Sequence, residues 1–391
     1  MKRRDLLQAG ALAPILSAGL ARAAESGRVD GGAAAPGRWQ PPSGRPWNAI
    51  LVAGGAFSRY QRILEQTARG LDKLDVIDNG NVAIPEASPS TEEMWWWLAE
   101  NAGGKRIRFL EDGHYCYEWS PELRESLSKE ILERIRIAGD VDLILTLGTE
   151  PSLDFGKAVD DIPVICLGST DPVANGIVPS VEDSGKDNLH ATVIVEQFEW
   201  QIERFYSIFR FKRLGLMVAE SRRKKSGVDE TRRFCAQRGV ELVEEYYAEE
   251  GRDPYRDYAN MRAAMGRLIH AKVDAVYLPF FLCPNDKFPE FLALLTSRGI
   301  PSFTQAGVDP VERGILLGVA ETDMENYGLF EARVIDLVTR GVKPRLLDQR
   351  FAQSQGLVIN LKTAMQMGWQ PPLGLLVSVE DTFSTHSPLV K

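Results

Sequence analysis

The residues best able to do chemistry in this chain stand at the ends of two short apolar runs. The first run, Val164 to Leu167, has the length of a buried strand and stops at Gly168. Ser169, Thr170 and Asp171 follow, two hydroxyls and a carboxylate in succession before Pro172. In an open α/β sheet ligands sit beyond the carboxyl ends of the strands, so this trio is placed to hydrogen-bond a small molecule and to set a negative charge against an amine. An Asp before a Pro also fixes a turn through its own backbone, and that reading stands beside the first. The second run, Val141 to Leu147, ends in Gly148-Thr149-Glu150-Pro151-Ser152. A helix beginning near Ser152 would turn its free N–H groups and the positive end of its dipole toward whatever lies past the strand, which suits a carboxylate. Thr149 and Ser152 serve equally well as plain helix caps.

Bond-making chemistry has no comparable signature. There is no G-x-S-x-G elbow, phosphate-binding lysine loop or H-E-x-x-H helix, and Gly54-Gly55 lacks the spacing of a dinucleotide loop. Cys116, Cys166, Cys235 and Cys283 are far apart with no C-x-x-C pair, and the four histidines stand alone, so no metal or cofactor is expected. Cys166 within an apolar strand and Cys235 within a helical pattern read as buried free thiols.

The elements that carry these residues alternate. Asn48 to Ala53 reads as a strand, followed by a helix with Tyr60, Ile63, Leu64, Leu71 and Leu74 on one face. Thr91 is placed to cap a helix bearing Trp95, Trp96 and Trp97, which read as cover for a core or a lobe contact. Arg106 to Leu110 reads as the next strand, His114 to Trp119 as an aromatic loop, and Ser120-Pro121 as the start of a helix. After an irregular crossing that spans Gly176, Pro179 and Gly185, the rhythm restarts with strands at Arg213–Ala219, Glu241–Tyr247, Val273–Leu278, Pro301–Thr304 and Ile315–Val319. Helices lie between them, which predicts a second parallel sheet. A helix from about Glu325 to Thr339 ends at Gly341, and Leu357 to Leu361 is the last predicted strand. Arg222, Arg223, Lys224 and Lys225 read as a solvated charge run or as a wall for an anionic ligand.

The 391 residues are too many for one core, and 26% charged with 44% hydrophobic residues is ordinary for a globular protein. Lys2, Arg3 and Arg4 precede an uncharged run from Ala9 to Leu20 that ends in Ala21-Arg22-Ala23, a secretory signal whose paired arginines resemble the twin-arginine export motif. Residues 1–23 carry four basic groups and one acidic, so their removal takes the net charge from −8 to −11. Nucleic acid is excluded as a partner on that balance. With no cysteine after the apolar run, a soluble periplasmic protein without a lipid anchor is expected.

Two stretches resemble a known family. Asp171 to Thr192, DPVANGIVPSVEDSGKDNLHAT, is similar to the crossing segment of ABC transporter substrate-binding proteins, in a group with members that bind aromatic amino acids. Leu357 to Ala364 with Gly368, together with VDLILTLGTEPS and VDAVYLPF, fit the same pattern. The resemblance implies the type I periplasmic binding protein fold: an α/β protein of two Rossmann-like lobes with parallel sheets, joined by hinge strands that shut over a ligand. Lobe one is then expected from 46–190 plus 321–345 and lobe two from 191–320 plus 346–391, after a signal peptide at 1–23 and a flexible 24–45.

On that pattern the ligand-binding residues are expected to be Phe57 and Ser58 as apolar wall and donor, Thr149 and Ser152 for a carboxylate, and Ser169, Thr170 and Asp171 for an amine. From lobe two they are Glu220, Ser221, Phe281, Asn285 and Gln305, with Asp323 near the returning hinge. The implied partners are a small molecule and an ABC permease of the inner membrane. A membrane sensor kinase in place of the permease is the alternative, and a periplasmic enzyme the remote one.

Overall fold

The computed structural model describes residues 44–386 apart from 196, 224–226, 250–252, 322 and 353–354. The expected export signal with its expected cleavage site, nearly all of the 24–45 stretch, Lys224 and Lys225 lie outside the described residues. Strand β1 (Trp47–Ala53) leads to α1 (Ser58–Lys73), α2 (Glu92–Asn101), β2 (Ile107–Cys116), α3 (Pro121–Ile137), β3 (Leu143–Leu147), α4 (Thr149–Ala158), β4 (Val164–Gly168) and β5 (Leu189–Ala191). These strands form a five-stranded parallel sheet in the order β2-β1-β3-β4-β5. Its central strands are apolar at almost every position because both faces are covered, one by Ile63, Leu64 and Trp95, the other by Ile131 and Phe155.

The chain then crosses through β6 (Val193–Ile194) into α5 (Gln197–Phe209), β7 (Arg213–Ala219), α6 (Val228–Arg238), β8 (Glu241–Tyr247), α7 (Pro254–His270), β9 (Ala275–Leu278), α8 (Phe288–Thr296), β10 (Ser302–Thr304), α9 (Val308–Glu312) and β11 (Leu317–Glu321). After α10 (Met324–Thr339) and β12 (Arg350–Phe351) come β13 (Gln355–Asn360), α11 (Leu361–Gln366), α12 (Leu373–Ser378) and β14 (Asp381–Phe383). The second sheet has seven strands in the order β14-β13-β11-β10-β9-β7-β8. It departs from the expected wholly parallel sheet: β13 runs antiparallel to β11. The chain has come back from the first lobe before forming β13, so no helical crossover constrains its direction.

Helix α10 follows the second sheet in sequence yet packs on α1 of the first lobe. Two glycines permit this: a Cβ on Gly70 would lie 2.7 Å from the Cβ of Ala332, and one on Gly328 would lie 2.3 Å from a backbone carbon of Gln66. Strands β6 and β12 pair beside each other where the chain passes between lobes. That crossing holds a buried polar group, Glu331 on α10, with no exposed surface and neither carboxyl oxygen hydrogen-bonded. Buried His190 Nε2 meets the Asp348 carbonyl there at 3.0 Å.

Local signals account for most boundaries. The Ser120 hydroxyl accepts from Leu123 N and Pro121 opens α3; Asp253 caps α7 ahead of Pro254, and Asn360 caps α11. Gly239 ends α6 at φ 68°. Three expectations shift. Strand β2 runs to Cys116 rather than Leu110, because residues 110–113 bulge and the register jumps from Ala49↔Phe109 to Leu51↔His114. Thr91 makes no cap hydrogen bond; its hydroxyl meets His114 Nε2 at 3.0 Å instead. Helix α4 starts at Thr149, three residues before Ser152. Of the tryptophan triplet, Trp95 is fully buried and donates from Nε1 to the Leu110 carbonyl, while Trp96 is half exposed. The cysteines are free thiols, Cys166 and Cys235 buried.

Candidate functional site

Each sheet reverses its strand order once. In the first sheet the reversal falls between β1 and β3, in the second between β7 and β9. Such switch points leave a crevice beyond the strand ends, and here the two crevices face each other. Strand β1 delivers Phe57 through the turn Gly54-Gly55, β3 delivers Thr149 and Glu150, and β4 delivers Ser169 and Thr170. From the other side β7 delivers Ser221 and Arg222, β9 delivers Phe280, and β10 delivers Gln305.

The middle of this cleft is aromatic. Phe280 reaches across from the second lobe, with its ring centroid 6.2 Å from Phe57 in an edge contact and 6.2 Å from Trp119. The Arg222 guanidinium lies over the same ring, 4.4 Å from its centroid. Trp119 is held on the first lobe by an unusual backbone. Glu118 and Trp119 have φ of 51° and 59°, left-handed values that L side chains seldom take. Hydrogen bonds from Trp119 N to the Gly54 carbonyl (2.9 Å) and from its Nε1 to the Ala56 carbonyl (3.3 Å) hold it there. The indole lies flat on Gly55, whose absent Cβ would sit 2.2 Å from it. Strain on the order of 1–3 kcal/mol per such residue persists where the surroundings impose it, commonly at ligand clamps.

Three spaces surround this aromatic wedge. A narrow one, about 40 Å³, lies under it among Tyr60, Thr149, Ser169 and Thr170. The Ser169 hydroxyl is buried there without a partner. A second, about 70 Å³, is lined by Ser58, Arg62, Gln201, Gln305 and Gln355. Two of these glutamines meet the buried Tyr277 hydroxyl, which lies 2.9 Å from Gln201 Oε1 and 3.2 Å from Gln305 Oε1 and has one proton for the two acceptors. The largest, about 470 Å³, opens on the other side of Trp119 between Tyr117, Arg124 and Glu150 of one lobe and Arg222, Glu249 and Asp257 of the other. Arg124 is taken up by Asp154 through two hydrogen bonds of 2.8 and 2.6 Å, but Arg222 Nε stands 3.9 Å from Glu249. Burial, then the neighbouring Asp257 and Glu150, raise the Glu249 carboxyl above its ordinary range, against the lowering effect of Arg222.

The structure places the expected site residues in two groups. Phe57, Ser58, Thr149, Ser169, Thr170, Ser221 and Gln305 line these spaces. The other six face elsewhere. Ser152 is fully buried, with its hydroxyl 2.8 Å from Thr146 Oγ1 and 2.7 Å from the Gly148 carbonyl. Asp171, at φ 45°, accepts from Ala174 N at 3.1 Å, the turn-fixing role, and burial raises its carboxyl. Glu220 is exposed and pairs with Arg223 at 3.1 Å. Phe281 turns into the second core against Phe288 and Phe291. Asn285 opens a short 3-10 turn on the surface. Asp323 Oδ1 accepts from Asn326 at the head of α10.

Trp119, Phe280, Glu249 and Arg62 are among the lining residues that had no place in the expected set. Phe280 precedes the expected Phe281, and alternation along an extended segment sends neighbours to opposite sides. Trp119 had a signal in Gly54-Gly55, a turn with room for a ring, but no pattern ties that turn to a residue 64 positions on. Among the described residues no group of His, Cys, Asp and Glu could hold a metal ion, and no helix is long and apolar enough to cross a membrane.

Comparison with known proteins gives the chain its family. Residues 124–382 match the profile described as ABC transporter substrate binding protein. Among solved structures, an ABC domain from Streptococcus pneumoniae in complex with L-Trp is similar at a TM-score of 0.64 and 18% identity, covering 86% of this chain and 100% of that one. A conserved domain protein from Vibrio cholerae O1 biovar El Tor has the same values. The ligand-free, open structure of a Clostridium difficile substrate binding protein with adhesive properties is similar at 0.56 and 19%, covering 87% and 100%. At these identities the likeness is one of fold, the two-lobed type I periplasmic binding protein, and no match is found among curated protein sequences. The family is one of solute binders rather than enzymes, and with two thirds of its length inside the family profile, this chain belongs to the ABC transporter substrate binding proteins.

Proposed function

We propose that the protein is an exported, periplasmic receptor that binds one small organic molecule between its lobes and presents the closed form to an ABC permease of the inner membrane. The observation that carries this reading is the meeting of both sheets' switch points across one aromatic cleft, with polar groups on each side of it. Lobe one comprises 46–190 plus 321–345 in this reading and lobe two 191–320 plus 346–391. The ligand contacts Phe57, Ser58, Thr149, Ser169 and Thr170 from the first lobe and Ser221 and Gln305 from the second, with Trp119, Arg222 and Phe280 around its apolar body. Phe280 lies between Phe57 and Trp119 when the lobes are shut, so a flat ligand takes that place and turns Phe280 aside. Closure around it removes water, which strengthens every polar contact, and gives the permease a shape to recognise.

A thermal-shift screen over amino acids, amines, small carboxylates and nucleosides tests the reading. A ligand at a hundred times its Kd adds about 2.7 kcal/mol to the folded state. The hit should fail with Phe57→Ala and should stimulate ATP hydrolysis by the reconstituted cognate permease. Binding that survives blocking of the cleft overturns the receptor reading, and stimulation of a membrane kinase in place of a permease overturns the transport role.

A further inference from the structure

The largest interlobe space has a charge composition that the fold does not require. Its first-lobe wall carries Glu150, its second-lobe wall Glu249 and Asp257. Two arginines reach it, but Arg124 is neutralised by the two hydrogen bonds to Asp154, and Arg222 lies over Phe280 at 4.4 Å. Glu150 makes no hydrogen bond or ion pair among the described residues, while Glu249, with 11% of its side chain exposed, has only the long 3.9 Å contact to Arg222. Beneath them the Tyr247 hydroxyl, on a side chain 4% exposed, has no hydrogen-bond partner. The charges acting on it most are Glu249, Arg222 and Asp257. With Arg124 held by Asp154, Glu150 and Glu249 face a single arginine, Arg222, whose Nε is buried without a hydrogen-bond partner, so the chamber carries more carboxylate than its own cations neutralise.

Shutting the lobes brings Glu150 toward Glu249 from opposite sides and takes water away from both. Like charges approaching as solvent leaves oppose closure unless a cation stands between them. Trp119 supplies one wall of this space, and an indole face attracts cations. We propose that the chamber takes the cationic end of the ligand, a protonated amine or guanidinium on a flat apolar body, which joins Glu150 of one lobe to Glu249 of the other across the face of Trp119. The inference rests on the cleft being the solute site and adds the ligand's charge: a cation, rather than a zwitterion or an anion.

Phenylethylamine, phenylalanine and hydrocinnamate share one ring and chain and present an ammonium, a zwitterion and a carboxylate. Calorimetric titration of the purified protein with each should give the tightest binding for phenylethylamine. Glu150→Gln and Glu249→Gln should each weaken the amine by about tenfold or more, the worth of a charge-assisted hydrogen bond, with circular dichroism unchanged. Two separate variants guard against one of them misfolding. Equal or tighter binding of the zwitterion or carboxylate, amine affinity unaffected by both variants, or no binding of any of the three overturns the proposal. If a neutral or anionic solute binds instead and is lost in Phe57→Ala, the receptor reading stands and the charge assignment alone falls; if the amine binds and Phe57→Ala has no effect, the cleft reading falls.

Discussion

Replacing Glu331 with Gln should make the protein's stability less dependent on pH, in a direction and over a window that the structure defines. Glu331 has no exposed surface, and burial raises its carboxyl from the ordinary 4.5 to about 8; Thr192 and Tyr327 lie close enough to favour the ionised form but are outweighed. The Tyr327 hydroxyl is already committed to the Leu167 carbonyl at 2.6 Å. A raised folded-state value means that the native protein holds a proton which the unfolded chain gives up. The resulting contribution is fully present below pH 4.5 and is lost as pH rises toward 8, where the native carboxyl also ionises. At about 1.4 kcal/mol per tenfold change in proton affinity, the difference between 4.5 and 8 amounts to at most about 5 kcal/mol. Gln has the same shape and no proton to lose. Urea unfolding of wild type and Glu331→Gln across pH 4–8.5 should give a stability difference that is level at the acid end, grows in the variant's favour by about 1.4 kcal/mol per pH unit, and levels off near 8. Other titrating groups cancel in the comparison; His190, for example, is pushed down by burial to about 4 in both proteins. A difference that stays constant over the whole range would refute the reasoning, because it would mean that Glu331 is ionised throughout or is not buried in solution.

Gly328→Ala should destabilise the first lobe by about 1–3 kcal/mol, because the new methyl group meets the Gln66 backbone, which cannot yield as a flexible side chain would; a urea midpoint unchanged within error would count against the close approach of α1 and α10. Phe280→Ala should shift the ligand-free protein toward an open form, read as a larger radius of gyration in small-angle scattering, since the ring contacts to Phe57 and Trp119 are then lost; an unchanged radius would show that the lobes are held shut elsewhere. Gly55→Ala should drive the Trp119 indole off the turn and change its fluorescence and near-ultraviolet dichroism, with far-ultraviolet dichroism preserved; an unaltered indole signal would contradict its placement.

The architecture was legible because its signals are local and repeated. Continuous apolar runs such as LILTL and VICLG announce strands covered on both faces, and Ser120-Pro121 announces a helix start from two adjacent residues. The irregular features were hidden because they depend on distant partners. The bulge at 110–113 is set by how β2 registers on β1, and the antiparallel β13 by where the chain re-enters the second lobe. In the cleft, the strand-end rule pointed to Thr149, Ser169, Thr170 and Gln305, which line its spaces because their positions follow from their own strands. It could not separate Phe280 from Phe281 or choose between the two readings of Asp171, since both depend on the rotation of one residue in a loop. Trp119 and Glu249 escaped for the further reason that each lies beyond its strand, where side-chain direction is set by contacts made far along the chain.

The return of α10 to α1 has a consequence for the order of assembly. The Gly70 face of α1 is translated 258 residues ahead of the Gly328 face that covers it. At about 5–20 residues per second, synthesis leaves that surface uncovered for on the order of 13–50 seconds, during which the whole of β7 to β11 is made and can pair. That face of α1 therefore completes its packing only after the strands β7 to β11 of the other lobe have been made.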